Sequence, residues 1–262
     1  MADNSRPRRR WFQFRLRTLL VLIAVVALPL AWIARERRQS RYEAEVAETL
    51  QRRDFLDVAL AGPYDSLERA ARDEPQGWRR DLARRVFGER IVVVWIANET
   101  FDDLTPLARL TSLKRFNVHG APVVDLAPLA GLHELTYLDL GSTAASDLTP
   151  LARLANLEWL GLGFTKVTDV APLAGLQKLK SLSLDSTPVA DVAPLAELKK
   201  LESLNLRATQ VKDVAALKQC KNLKKLSLDL TPVTQEQGVE LQKALPNCAI
   251  SLGGVRLQRP GP

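Results

Sequence analysis

Apolar positions recur every 22 residues from Leu104 to Leu228, with no insertion or deletion across six units. One column holds Leu113, Leu135, Leu157, Leu179, Leu201 and Leu223, and another holds Phe116, Leu138, Leu160, Leu182, Leu204 and Leu226. A third runs from Val118 through Leu140, Leu162, Leu184 and Leu206 to Leu228. Within a unit, L-x-x-L-x-L alternates apolar and polar residues, which predicts a short strand with its leucines inward. The D-V-A-P-L-A-x-L segment that follows predicts a helical turn on the opposite side. Its Asp (Asp125, Asp147, Asp169, Asp191, Asp213) suits an N-cap, and its Pro falls in the first turn, where a missing N–H costs nothing. A Thr column (Thr143, Thr165, Thr187, Thr209, Thr231), broken at Ala121, supplies a hydroxyl for the backbone of the bend.

No unit of this size can bury its own leucines, so the units must stack, and the two ends need covers. A degenerate seventh unit precedes the six, with Ile91, Val94 and Ile96 in the strand columns. Trp78 to Phe87 reads as a helix stopped by Gly88. At the other end a helix is predicted from Gln235 to Leu245, then a last strand up to Ile250, then a flexible tail at 253–262.

The consensus L-x-x-L-x-L-x-x-T-x-V-x-D-V-A-P-L-A-x-L-x-x resembles the leucine-rich repeat in its 22-residue internalin-like form. The resemblance implies an α/β leucine-rich repeat solenoid, with a parallel concave sheet and helical or 3-10 convex turns, and the expected solenoid lies behind an N-terminal transmembrane helix read from other residues. The Thr column stands where that family usually has Asn.

The transmembrane expectation comes from residues 18–34, TLLVLIAVVALPLAWIA, which carry no charge. At 1.5 Å per residue they span about 26 Å, near the lower limit for a bilayer core. Trp11, Phe12, Phe14 and Trp32 suit the interface, and Arg15, Arg17 and Arg35 can snorkel. A cleavable signal peptide is the rival reading, but the run is long for one and no clean A-x-A site follows it. Six Arg precede the span and four follow closely, a bias toward a cytoplasmic N-terminus and an exported body. The layout is then a basic tail (1–17), a membrane helix (18–34), a juxtamembrane helix and linker (35–77), the capped repeat domain (78–252) and the tail. It resembles the membrane-anchored leucine-rich repeat proteins abundant in planctomycete bacteria. Those share an R-x-R-T-L-L-V-L start, here Arg15–Leu22, and a closing L-Q-K-A-L-P-N-C, here Leu241–Cys248. The resemblance implies the bacterial inner membrane, single-pass, and it implies architecture more than activity.

Charge changes the picture in one respect. The net +7 is concentrated in residues 1–41, with ten Arg against Asp3 and Glu36; the other 221 residues hold 27 basic and 28 acidic side chains. The body therefore has no excess of positive charge to drive phosphate binding, and nucleic acid is excluded as a partner. Phosphate-loop, serine-hydrolase, zinc-protease and C-x-x-C motifs are all missing, so no enzyme, cofactor or metal is expected. Gly161 and Gly163 fall at strand positions rather than in a phosphate loop. The Asp column has a sufficient capping role without a metal. Cys220 and Cys248 read as core thiols, with a disulfide between them as the alternative; His119 and His133 read as solvated.

Binding chemistry is expected on the concave sheet, where strands present side chains at fixed spacing. Tyr137 and Trp159 should be neighbours, with Arg115 and Trp95 close by and Asn117, His119 and Asp139 alongside. Gly141, Gly161 and Gly163 are read as leaving room above the sheet. Exposed aromatics with Arg have the composition of a binding hot spot. The alternative is that the aromatics merely shield sheet backbone. The reading is non-covalent binding of a protein or peptide at the cell envelope, with the lipid bilayer engaged through 18–34 and a cell-wall polysaccharide as an alternative ligand. The rivals are a structural envelope scaffold without a ligand groove and a non-catalytic subunit of an enzyme complex.

Overall fold

The computed structural model describes residues 31, 33–46, 58–61, 90–96 and 101–257. The chain divides into two compact units, Met1–Glu45 with Ala61–Arg90, and Val46–Leu60 with Ile91–Pro262. In the first unit, residue 31 and residues 33–45 are helical, and the helix runs on through residue 46. Among the described residues no helix is long and apolar enough to cross a membrane. Most of the expected span at 18–34, residues 47–57 and 62–77 of the linker, the helix at Trp78–Phe87 and residues 258–262 lie outside the described residues; residues 33–46 are helical, but Val58–Ala61, read from the sequence as the end of the juxtamembrane helix, is a strand.

The second unit is a stack of repeats on one ten-stranded sheet, ordered as in the sequence. Its strands are β1 (Val58–Ala61), β2 (Arg90–Trp95), β3 (Arg115–Asn117), β4 (Tyr137–Asp139), β5 (Trp159–Gly161), β6 (Ser181–Ser183), β7 (Ser203–Asn205), β8 (Lys225–Ser227), β9 (Ala249–Leu252) and β10 (Val255–Arg256). From β2 to β9 each strand pairs in parallel with the next, and from β3 to β8 every residue faces the one 22 positions later. The middle residue of each short strand is buried and its two flanks lie on the outward face, where Gly161 alone of the flanks in β3 to β7 is itself covered. The six-unit Leu, Phe and Val columns are fully or almost fully buried, so this core is built between repeats rather than within them.

On the opposite side the chain forms 3-10 turns, such as Ala127–Leu129, Ala171–Gly175 and Ala215–Gln219. The capping Asp sits one residue earlier than a helix N-cap. Asp125, Asp147, Asp169, Asp191 and Asp213 each accept a hydrogen bond at 2.8 Å from the backbone N–H two residues on. That bond satisfies a donor which a turn this short leaves without an intrahelical partner.

After each of β3 to β8 the backbone passes through one left-handed residue: Gly120, Ser142, Phe164, Ser186, Ala208 and Leu230 have φ between 55° and 84°. For the five that are not Gly this costs roughly 1 kcal/mol each. The Thr that follows offsets it. Thr143, Thr165, Thr187, Thr209 and Thr231 donate Oγ1–H to the carbonyl three residues back at 2.6–2.7 Å.

The C-terminal cover is the helix Gln235–Ala244, opened by a capping box in which Thr234 and Gln237 satisfy each other's backbone N–H. Buried Gln242 donates to the carbonyls of Leu245 and Cys248, holding the loop into β9. Residues 253–257 are not the flexible tail expected. Gly253 and Gly254 turn the chain through positive φ, and β10 pairs antiparallel with β9. Two glycines between pairing segments make the tight hairpin that the parallel stack elsewhere cannot.

Candidate functional site

The outward positions of β2 to β5 assemble the expected patch. Register places Val93, Arg115, Tyr137 and Trp159 side by side, and Trp95, Asn117, Asp139 and Gly161 in the next row. Strands about 4.8 Å apart bring flat side chains to stacking distance. The Tyr137 and Trp159 rings lie 4.3 Å apart at 7° to each other. The Arg115 guanidinium carbon sits 4.7 Å from the centre of the Tyr137 ring. Together these make a three-layer Arg–Tyr–Trp stack, closed on the Arg115 side. Its Arg115 Nε is buried without a hydrogen-bond partner. Burial, then the Asp139 charge, pushes the Tyr137 phenol above its ordinary value against the pull of Arg115, so it stays neutral at physiological pH. Trp95 is 45% exposed on the neighbouring strand, whereas Val93 at the head of the column is buried.

The glycines do not leave open space, which corrects the sequence expectation. A Cβ on Gly161 would meet Trp159 Cη2 at 2.6 Å and Asp139 Oδ1 at 2.7 Å. A Cβ on Gly141 would meet His119 Nδ1 at 2.5 Å, and one on Gly163 would collide with the Asp185 carboxylate. The space is already filled by side chains leaning across from the same or the adjacent strand.

Asn117 and Asp139 act first on their own backbone: their Oδ1 atoms accept from the N–H of His119 and of Gly141, both at 3.0 Å. His119 is 56% exposed; its Nδ1 lies 3.8 Å from Asp139 Oδ1 and its Nε2 lies 3.3 Å from Ser142 Oγ. Ser, His and Asp thus converge, but not as a nucleophilic triad. The His–Asp separation is beyond hydrogen-bond reach. The N–H groups of Gly141, Ser142 and Thr143 are all taken, by Asp139, Gly163 and Leu140, and cannot hold an oxyanion. The cluster instead fixes the edge of the patch.

Sequence reasoning placed Asp185 on the outward face without singling it out, and missed Ser142 and Phe164. Phe164 is 59% exposed at a left-handed position and lines a shallow groove of about 560 Å³ with Gly120, Pro122, Ser142 and Lys166. The signal was the unit position before each Thr, which has no hydrophobic column to mark it. At the other end of the strands, Glu158–Lys180 at 2.7 Å and Glu202–Lys224 at 2.6 Å form an exposed ladder of ion pairs. Among the described residues no group of three or more His, Cys, Asp or Glu side chains is placed to hold a metal ion. Both cysteines are free and buried.

No protein-family model matches the chain, and no curated protein does. Solved structures do. Internalin C2 of Listeria monocytogenes is 33% identical, over 62% of this chain and 71% of that one, with a TM-score of 0.59. An internalin, InlF, of the same organism is 30% identical, over 63% of this chain and 47% of that one, with a TM-score of 0.58. The chain thus spans about half the length of InlF. The plant peptide hormone receptor RGFR1, solved in complex with RGF2, shares the fold at 17% identity and a TM-score of 0.52, over 62% of this chain and 31% of that one. With its gapless 22-residue units, parallel sheet and 3-10 turns, this chain belongs to the internalin-like leucine-rich repeat proteins.

Proposed function

We propose that this is a membrane-anchored leucine-rich repeat protein that binds a protein or peptide through the outer face of β3 to β5, with no catalytic role of its own. The observation that carries the reading is the Arg115–Tyr137–Trp159 stack. A cluster of rigid aromatics flanked by Arg offers large contact area at low entropic cost. The receptor solved with its peptide hormone supports a peptide as ligand at the level of fold alone. The anchor rests on residues 18–34 and their arginine flanks, as in the planctomycete proteins of similar layout. The bias of Arg toward the N-terminal flank supports an N-terminus inside and exported repeats, anchored in the bacterial inner membrane.

The test is in-cell photo-crosslinking from position 159, with position 212 on another surface as control. A discrete adduct from 159 alone is expected, and mass spectrometry then separates a protein partner from a cell-wall polysaccharide. No adduct, or the same smear from both positions, would favour a scaffold without a ligand groove. Alkaline phosphatase fused after residue 262 should be active if the body is exported, and silent if it is not.

A further inference from the structure

The stack is closed at one end and open at the other. Arg115 covers the outer face of Tyr137, but the next residue beyond Trp159 in register is Ser181, followed by Ser203 and then Lys225. Three strand spacings, roughly 14 Å, therefore separate Trp159 from the next long side chain in that row. One face of the indole looks across this serine-floored interval.

One carboxylate stands at the end of the same ring, and a second lies farther along the strand of Trp159. Asp139 Oδ1 and Trp159 Cη2 converge on the space above Gly161, and the Asp185 carboxylate lies over Gly163, two residues farther along. Among the described residues neither is neutralised by Lys or Arg. The only basic group within 4 Å of Asp139 is His119, and Asp185 has no ion pair; it accepts from Ser183 Oγ at 2.6 Å. Arg207, one strand beyond Asp185, makes no ion pair with it within 4 Å, and its charge reaches Asp229.

An open indole face attracts a cation more strongly than any other aromatic surface, and two unneutralised carboxylates beside it set the sign of the charge. A guanidinium is flat enough to become the next layer of the stack. We infer that the partner of this site is a basic peptide segment, one of whose Arg side chains lies on the free face of Trp159 above Ser181 with its guanidinium directed to Asp139 and Asp185. The inference rests on the peptide-binding reading above and specifies its ligand.

The test uses the full chain in detergent micelles and dye-labelled Gly/Ser octapeptides carrying two Arg, two Lys, two Glu or two Phe, read by fluorescence polarisation. The Arg peptide should bind at least tenfold more tightly than the Glu and Phe peptides. It should lose tenfold or more on Trp159→Ala, and several-fold on Asp185→Asn, a change that spares the stack. Equal binding of the Arg and Glu peptides, tighter binding of the Phe peptide, no binding of the Arg peptide, or binding indifferent to both substitutions would overturn the inference. A crosslink from position 159 without an Arg preference overturns the charge assignment alone. Absence of that crosslink overturns the reading beneath it.

Discussion

The indole of Trp159 occupies the space that a side chain on Gly161 would need: a Cβ there would stand 2.6 Å from Trp159 Cη2 and 2.9 Å from Cζ3. Residues 159 and 161 share a strand and a face, so the long side chain lies along the strand over the residue that has none.

Gly161→Ala should therefore lift Trp159 off the sheet or push Asp139 aside. Overpacking of this kind costs about 1–3 kcal/mol. The expected result is a lower urea midpoint and lost contact between the Tyr137 and Trp159 rings, read in near-ultraviolet circular dichroism. An unchanged spectrum would mean that the stack does not depend on the glycine.

The strands and the Thr column were legible in the sequence because burial enforces them. Every inward position must be apolar, and a buried bend needs a local donor, so both leave a 22-residue signature. The stacking of Tyr137 on Trp159 followed from the same period. The space above the sheet was misread because a glycine was taken for a vacancy, and only coordinates show which way Trp159, His119 and Asp185 lean. The Asp column was read one residue off because in these 3-10 turns the carboxylate caps the first N–H of the turn from the residue before the N-cap, two positions back. The hairpin at Gly253–Gly254 was mistaken for a tail because its partner strand is the one that breaks the repeat. Ser142 escaped notice because its partner, His119, lies 23 residues earlier.

Thr187→Val removes a buried hydroxyl that donates to Leu184 O at 2.6 Å, at the left-handed turn of Ser186. Shape is nearly kept and the carbonyl loses a partner, so a loss of about 1–2 kcal/mol is expected in urea denaturation. Thr165→Val should match it, since Thr165 donates to Leu162 O in the same way. A difference larger than the error of the measurement would show that the repeats are not energetically equivalent.

Burial raises the Cys248 thiol from 9.0 to about 11. Burial also raises Cys220, with the nearby Lys199 charge pulling the other way. The folded state holds both protons more tightly than the unfolded chain does. The Cys248 contribution is thus fully present below about pH 9 and is lost as pH rises through about 11, and Cys220 acts in the same direction. Urea midpoints measured at pH 8 and pH 10.5 should fall toward the higher pH, and Cys248→Ala should flatten the fall. In the folded protein at pH 8 neither thiol should react with a thiol-specific dye until denaturant is added.

Asp229 ties the final hairpin to the stack. Its carboxylate accepts from Gly254 N at 2.7 Å, from Ser251 Oγ at 2.7 Å and from Ser227 Oγ at 3.4 Å. Burial alone would raise its pKa, but these bonds and the Arg207 charge together hold it below the ordinary carboxylate value. Its contribution is present above about pH 4 and is lost as pH falls through the lower folded value. Asp229→Asn should cost about 1–2 kcal/mol. It should also speed hydrogen exchange at Gly254 and Leu257 while leaving β3 to β6 unchanged. Uniform acceleration across the sheet would show that the hairpin is not a separable cover.

The one-to-one register of β3 to β8 has a consequence for length. Because each residue faces its counterpart 22 positions later, the number of units, and not the packing of any one of them, fixes how far Trp159 lies from Lys225 and from the hairpin. The array is a ruler graduated in strands. Excising residues 182–203 would rejoin Ser181 to Leu204 in the same phase and bring Lys225 one graduation nearer to Trp159, with both ends of the ruler unchanged. A chain built this way can lengthen or shorten its reach between two grips by copying or dropping whole units, without redesigning either grip.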